Sequence, residues 1–259
     1  MLSSKVVILA GGKGTRIQEE TINIPKPMIE IGEKPLIWHI MKHYSHYGFS
    51  EFIICLGYKS DIIKDYFINY HSYTCDFTVN TKDDTIIFHN NHIEDWKVTL
   101  VSTGLETMTG GRIKRIKPYV AKDDIFFVTY GDGLSDVNIT SLLDFHRQHG
   151  KCATLTAVRP TGRFGALGLL DEKVEEFREK DDNIDSFVNG GFFVFSQGIF
   201  DYIEGDLTIL EKEPMENLAR TDALMAFKHY GFWHPMDTLN DKMTLEKLWK
   251  EGKAPWRVW

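Results

Sequence analysis

The residues best equipped for chemistry stand near the start of the 259-residue chain, in Leu9-Ala10-Gly11-Gly12-Lys13-Gly14-Thr15-Arg16 followed by Pro25-Lys26-Pro27. Glycines at 11, 12 and 14, directly after an apolar run, allow tight turns and let backbone N–H groups approach a phosphate with no Cβ in the way. Thr15 adds a hydroxyl, Arg16 a planar fork of donors, and Lys26 a point charge stiffened by two flanking prolines. Together they form a cradle for a polyphosphate. It is neither common phosphate loop: Walker A ends in GKS or GKT, and a dinucleotide fingerprint needs GxGxxG with an acidic residue about 20 positions on.

Two aspartates could complement that cradle. Asp132, in Gly131-Asp132-Gly133, closes a strand of central type, and open α/β sheets bind ligands at the carboxyl ends of strands. A carboxylate there suits Mg²⁺, which takes few protein oxygens and fills its shell with phosphates and water. Asp237, in Trp233-His-Pro-Met-Asp-Thr238, reads on its own as a helix cap. Thr107 to Arg115 supplies hydroxyls and Arg112 around a Gly110-Gly111 turn, while Lys114, Arg115 and Lys117 read as a solvated basic face. Asn189-Gly190-Gly191 offers an amide and two unobstructed backbone positions for sugar hydroxyls, or else a β-bulge. Gly162-Arg-Phe-Gly165 is a further basic loop bracketed by glycine. The histidines lack zinc-like spacing, and Cys55, Cys75 and Cys152 read as reduced cysteines of a cytoplasmic protein.

The elements that must hold these residues alternate strand and helix over the first 150 positions, which predicts an α/β fold with a mainly parallel sheet. Val6 to Ala10 is the first strand. A helix runs from Pro35 to Tyr47 and stops at Gly48. Phe52 to Leu56 is a strand, and Ser60 caps a helix burying Ile62, Ile63, Tyr66 and Phe67. Thr85 to His89 and Lys97 to Val101, separated by Asn90-Asn91, read as antiparallel excursions. Ile125 to Tyr130 is the central strand, Ile139 to His149 a helix, and Ala153 to Val158 a strand. Leu167 to Leu170, Val174 to Phe177 and Asn189 to Phe195 read as β structure over one end of the cleft, and Leu239 to Lys250 as a terminal helix.

Composition narrows the partners. The chain is 42% hydrophobic and 26% charged, with a net charge of -7, which excludes a surface that grips nucleic acid throughout. Apolar runs are of core-strand length, so no membrane helix is expected, and the N-terminal run is too short for a signal peptide.

GGKGTR with PKP resembles the sugar-phosphate nucleotidyltransferases, and KPLIWHIMKHY, MTGGRIKR, TYGDGLSD, GRFGALG, VNGGFFVF, FWHPMDTLNDK and GKAPW extend the likeness from Val6 to Trp256, to the branch that uses CTP and glucose 1-phosphate. The resemblance implies a Rossmann-like mixed, mainly parallel sheet flanked by helices, with a small β-rich sugar-binding portion, as one domain over 1–259. It implies attack of a sugar 1-phosphate on the α-phosphorus of CTP, with loss of pyrophosphate, feeding CDP-deoxysugars for surface polysaccharide. Arg16 and Lys26 are then closest to catalysis. Leu9, Ala10, Gly11, Gly12, Lys13, Gly14, Thr15, Arg16, Lys26, Thr107, Arg112 and Gly131 contact the nucleotide. The resemblance further implies that Glu179, Lys180, Asn189 and Gly190 contact the sugar phosphate, that Asp132 and Asp237 bind Mg²⁺, and that the protein is a homo-oligomer, such as a hexamer. The family's Glu-Lys-Pro is here Glu179-Lys180-Asp181, which frees the backbone and adds negative charge near the sugar phosphate. The same chemistry with another sugar or with UTP or dTTP stays open, as does a glycosyltransferase, although Asp132-Gly133-Leu134 is not D-x-D. A nucleotide-sugar sensor has no need of the Arg16 and Lys26 pair.

Overall fold

A computed structural model describes residues 4–14, 17, 21–89, 93–159, 166–170, 173–178 and 187–259, with 166–170 and 173–178 described by backbone alone. Thr15, Arg16, Glu179, Lys180, Asn90-Asn91 and the 162–165 loop lie outside the described residues.

Strand β1, Val6–Ala10, precedes the glycine loop, and the short strands β2 (Glu30–Ile31) and β3 (Lys34–Pro35) lead into helix α1, Leu36–His46. Then follow β4 (Glu51–Leu56), α2 (Ser60–Ile68), α3 (Tyr70–Thr74), β5 (Asp76–Asn80), β6 (Thr85–His89) and β7 (Lys97–Ser102). Next come α4 (Thr109–Arg115), α5 (Lys117–Val120), β8 (Ile125–Tyr130), β9 (Gly133–Ser135), α6 (Ile139–His149) and β10 (Ala153–Val158). The chain continues through β11 (Ala166–Leu170), β12 (Lys173–Arg178), β13 (Val188–Asn189), β14 (Phe193–Ser196), α7 (Glu213–Arg220), β15 (Leu224–His229), β16 (Trp233–Pro235) and α8 (Leu239–Lys250).

The main sheet runs β13-β10-β14-β8-β1-β4-β7, with β15 on the other side of β10. β8, β1, β4 and β7 are mutually parallel, and β14 joins β8 antiparallel. Alternation along β1 explains the layers. Val6, Ile8 and Ala10 point into one core with Leu36, Ile40 and Tyr44 of α1, whereas Val7 and Leu9 point into a second core with Ile113, Ile116 and Phe200. Helices therefore cover both faces, as a buried parallel sheet requires.

Several sequence expectations shift. Ser60 is the first helical residue, not the cap; Lys59 holds the preceding position in left-handed conformation (φ 46°). Of the predicted stripe on α2 only Ile63 is fully buried. β7 is not an antiparallel excursion but the parallel edge partner of β4, because its Val98, Leu100 and Val101 have core to cover. β6 pairs with β5 in a separate hairpin that leaves Phe77, Val79, Ile86 and Ile87 exposed. Asn189 to Phe195 is not one strand: Gly191 (φ 75°) and Phe192 (φ 47°) interrupt it, and both halves belong to the main sheet. α6 and α8 match expectation; Asn138 caps the first by accepting from Ser141 N at 2.9 Å, and Thr238 and Asp241 form a capping box on the second.

The C-terminal tail packs on the chain's own core. Trp256 is fully buried, stacked on Phe232 (5.5 Å) and Trp249 (6.3 Å). Its neighbour His39 donates from Nε2 to Ile31 O, and His43 donates from Nε2 to Val137 O, each at 2.8 Å. Burial pushes both imidazoles down to about 4. The unfolded chain, with histidines near 6.5, binds more protons between those values. Their contribution is therefore complete above pH 6.5 and is lost as pH falls toward 4. The melting temperature is expected to drop between pH 7 and pH 4.5, with both rings still neutral by NMR at pH 5.5; a midpoint near 6.5 for either ring contradicts this account.

Candidate active site

Four parallel strands deliver their carboxyl ends to one edge of the sheet. β1 ends in the glycine loop and β8 in Gly131-Asp132, held side by side by the hydrogen bond from Gly131 N to Leu9 O (3.0 Å). β4 ends at Leu56, just before Gly57, and Tyr58 N donates to Gly11 O at 3.2 Å. β7 ends at Ser102, and Thr103-Gly104 leads on to Thr107. Between them lies a cavity of about 370 Å³, lined by Leu9, Ala10, Gly11, Gly12, Gly14, Lys26, Pro27, Thr107, Met108, Thr109, Arg112, Tyr130, Gly131, Asp132 and Asp237. The structure thus brings together residues from five separated segments that the sequence had to select one by one.

The glycines serve different purposes. Gly14 adopts left-handed backbone (φ 62°), a conformation costly for a side chain, and its carbonyl accepts from Thr21 Oγ1 at 3.0 Å. Gly11 is needed for space, since a Cβ there falls inside the Arg112 guanidinium. Lys13, expected at the phosphates, has its ammonium 2.8 Å from Glu106 Oε1, an exposed ion pair of little strength.

Arg112 is almost fully buried, and the stretch expected as a glycine turn is instead the first turns of α4. Its Nη1 donates to Leu56 O (3.1 Å), Thr103 Oγ1 (2.7 Å) and Gly104 O (2.8 Å), and its Nη2 to Gly11 O (3.1 Å) and Leu105 O (3.4 Å). The guanidinium therefore braces the floor of the cavity while facing it with positive charge; burial lowers its proton affinity, yet an arginine stays protonated.

Lys26 is the electrostatic centre. Its ammonium lies 2.8 Å from Asp132 Oδ2 and 2.8 Å from Asp237 Oδ1. Burial would depress its proton affinity, but the two carboxylates outweigh burial and hold it above the ordinary lysine value. β9 and β16 set this geometry: they pair antiparallel, and Met236 N donates to Asp132 O at 2.8 Å. The cap of α8 is Thr238, so the Asp237 carboxylate faces Lys26 while its N–H donates to Asp241 Oδ2 (3.0 Å). Both carboxylates meet one nitrogen at hydrogen-bond distance, and among the described residues no third His, Cys, Asp or Glu completes a metal cluster with them. That donor set fits Mg²⁺, which takes one or two carboxylates and completes its shell with phosphate and water.

Of the residues expected to contact the sugar phosphate, Asn189 is exposed; its Nδ2 donates to Tyr130 Oη (3.4 Å) and its Oδ1 accepts from Gly191 N (2.9 Å). The backbone of Gly190 is not open as expected: its N–H donates to Thr156 O (2.9 Å) and its carbonyl accepts from Trp233 Nε1 (2.8 Å). Neither residue lines the cavity described above. Sequence reasoning did not single out Tyr130, although it directly precedes Gly131, nor Met108, whose residue type carries no chemical signal alone; Thr109 was one of the hydroxyls read in the Thr107 to Arg115 segment.

A nucleotide-sized cleft at parallel strand ends, floored by glycine loop and guanidinium, is the architecture of a nucleotidyl-transferring enzyme. The nucleotidyl transferase family model matches residues 5–233, and the chain belongs to that family. It is 53% identical over 255 residues to the glucose-1-phosphate cytidylyltransferase of Salmonella typhimurium strain LT2, covering 98% of this chain and 99% of that one. It is 43% identical over 256 residues to the probable glucose-1-phosphate cytidylyltransferase of Bacillus subtilis strain 168, covering 98% and 100%. The fold is that of HddC from Yersinia pseudotuberculosis, with a TM-score of 0.69 at 23% identity over 95% of this chain and 99% of that one. Among the described residues no helix is long and apolar enough to cross a membrane.

Replacing Arg112 by Lys keeps the charge but removes the fork, leaving buried carbonyls without donors. We expect a loss of about 2–4 kcal/mol in urea unfolding; an unchanged midpoint contradicts the bracing role.

Proposed function

We propose that the protein transfers a cytidylyl group from CTP to α-D-glucose 1-phosphate, giving CDP-glucose and pyrophosphate. The observation that carries this reading is the convergence of Lys26, Asp132 and Asp237 beside the glycine loop, in a chain 53% identical over nearly its whole length to a glucose-1-phosphate cytidylyltransferase. The chemistry is one in-line displacement: a sugar-phosphate oxygen attacks the α-phosphorus as the bond to pyrophosphate breaks, so no protein nucleophile is required. The chain's task is to bring two anions together and neutralise the charge that develops between them.

The glycine loop offers backbone N–H groups to the triphosphate, and Lys26 and Arg16 supply cationic charge to the reacting phosphates. Asp132 and Asp237 would hold Mg²⁺, which when bound supplies positive charge to the phosphate oxygens. Thr107 and Arg112 would border the nucleotide, and Glu179, Lys180 and Asn189 would contact the sugar phosphate. The 53% identity favours cytosine and glucose; Asp181 in place of the usual proline keeps a second reading, the same reaction with another sugar 1-phosphate, worth testing.

Pyrophosphate release measured with CTP, UTP, dTTP, ATP and GTP against a panel of sugar 1-phosphates is expected to be fastest with CTP and glucose 1-phosphate. A different fastest pair would sink the substrate assignment and leave the class intact. Asp132→Asn and Asp237→Asn should each lose at least about a hundredfold in kcat with an unchanged melting temperature; Mg²⁺-dependent turnover near wild type removes that residue from the metal site.

A further inference from the structure

One side chain at the cleft belongs neither to the phosphate loop nor to the carboxylate pair. Glu211, just before α7, accepts from two hydroxyls at once: Tyr130 Oη on one carboxylate oxygen and Thr109 Oγ1 on the other, the latter at 2.7 Å. Thr109 opens α4, the helix that carries Arg112, and Tyr130 ends the strand that delivers Gly131 and Asp132. Both line the cavity. Tyr130 Oη is also within 3.4 Å of Asn189 Nδ2, so a continuous hydrogen-bonded path runs Thr109–Glu211–Tyr130–Asn189, from the nucleotide side to the sugar side.

The partners of Glu211 are fixed in place. The backbone that carries it is fastened to α4: Gly110 N and Gly111 N donate to Thr208 O (2.9 and 3.2 Å), and Met108 N donates to Asp206 O (2.8 Å). This contact accounts for the paired glycines, since a Cβ on Gly110 would stand 2.8 Å from Thr208 O and one on Gly111 would strike Asp206. Leu210 N in turn donates to Thr109 Oγ1 at 2.9 Å. The Tyr130 ring is wedged edge-on to Phe193 (5.7 Å) and against the Gly191 backbone, where a Cβ would stand 2.9 Å from the ring. Packing holds the Tyr130 ring and α4 independently of the carboxylate between them, so its removal deletes the link without moving either anchor.

We infer that Glu211 is a positioning residue for nucleotide binding, acting through Thr109 and Tyr130 to hold the start of α4 at a set distance from the strand end that carries Asp132. A carboxylate suits the role because it accepts from both hydroxyls in charge-assisted bonds without having to donate to either. Glutamine keeps the link in weaker form, with one acceptor and one donor; alanine removes it. This role rests on the nucleotide reading above.

The test is CTP affinity by calorimetry together with KM and kcat, on wild type, Glu211→Ala, Glu211→Gln, Tyr130→Phe and the Glu211→Ala/Tyr130→Phe double variant. Tyr130→Phe keeps the packed ring and removes only the hydroxyl, so it reports even if the alanine variant folds poorly. Alanine and Tyr130→Phe are each expected to weaken CTP binding about tenfold, with KM moving more than kcat. Glutamine should stay within about threefold of wild type, and the double variant should be no weaker than the worse single. Wild-type affinity in both Glu211→Ala and Tyr130→Phe, or losses that multiply in the double variant, overturns the positioning role alone. Failure of wild type to bind CTP overturns the nucleotide reading and this role with it.

Discussion

The site depends on one buried guanidinium. Arg112 collects carbonyl oxygens from the ends of three strands, Gly11 after β1, Leu56 of β4, and Gly104 and Leu105 after β7, and so fixes the relative heights of the loops that floor the cleft. A planar fork with five donors can do this; an ammonium cannot present the same directions. The requirement spreads into the sequence as absence of side chains, because a Cβ at Gly11 or Gly57 would occupy the guanidinium's place. A glycine loop that reads as a phosphate cradle is therefore also a receptacle for an arginine about one hundred residues further on.

The second organising fact is electrostatic. Two aspartates aimed at one point repel each other, and Lys26, stiffened by Pro25 and Pro27, offsets that repulsion at 2.8 Å from each. The β9/β16 pairing brings the same two segments together through the backbone, so charge and backbone geometry support the same arrangement. Such agreement between levels is what a preorganised site needs.

Much of this was legible in the sequence where one local pattern decides one local structure. The apolar runs Val6–Ala10 and Ile125–Tyr130 read as strands and are strands, and the helix read over Ile139–His149 has those bounds, with Asn138 and Gly150 at its two ends. Asp132 and Lys26 were singled out from residue type and neighbours, and the fold places them 2.8 Å apart. What escaped depends on partners distant in sequence. β7 looks like a hairpin arm until β4 is seen beside it, and Gly110-Gly111 looks like a turn until Asp206 and Thr208 are seen pressing on it. Gly190 seemed open because nothing nearby in sequence reveals that Trp233 will claim its carbonyl.

The order in which the chain is made gives the carboxylate pair a further meaning. Lys26 meets Asp132 across 106 positions but Asp237 across 211. In the order of synthesis the glycine loop, the parallel strands and Arg112 all precede Asp237. Until β16 then zips onto β9, the loop has one carboxylate beside it instead of two. Late arrival of the second carboxylate makes completion of the fold a condition for completing the site, so a partly synthesised chain lacks the full set of groups for handling triphosphate.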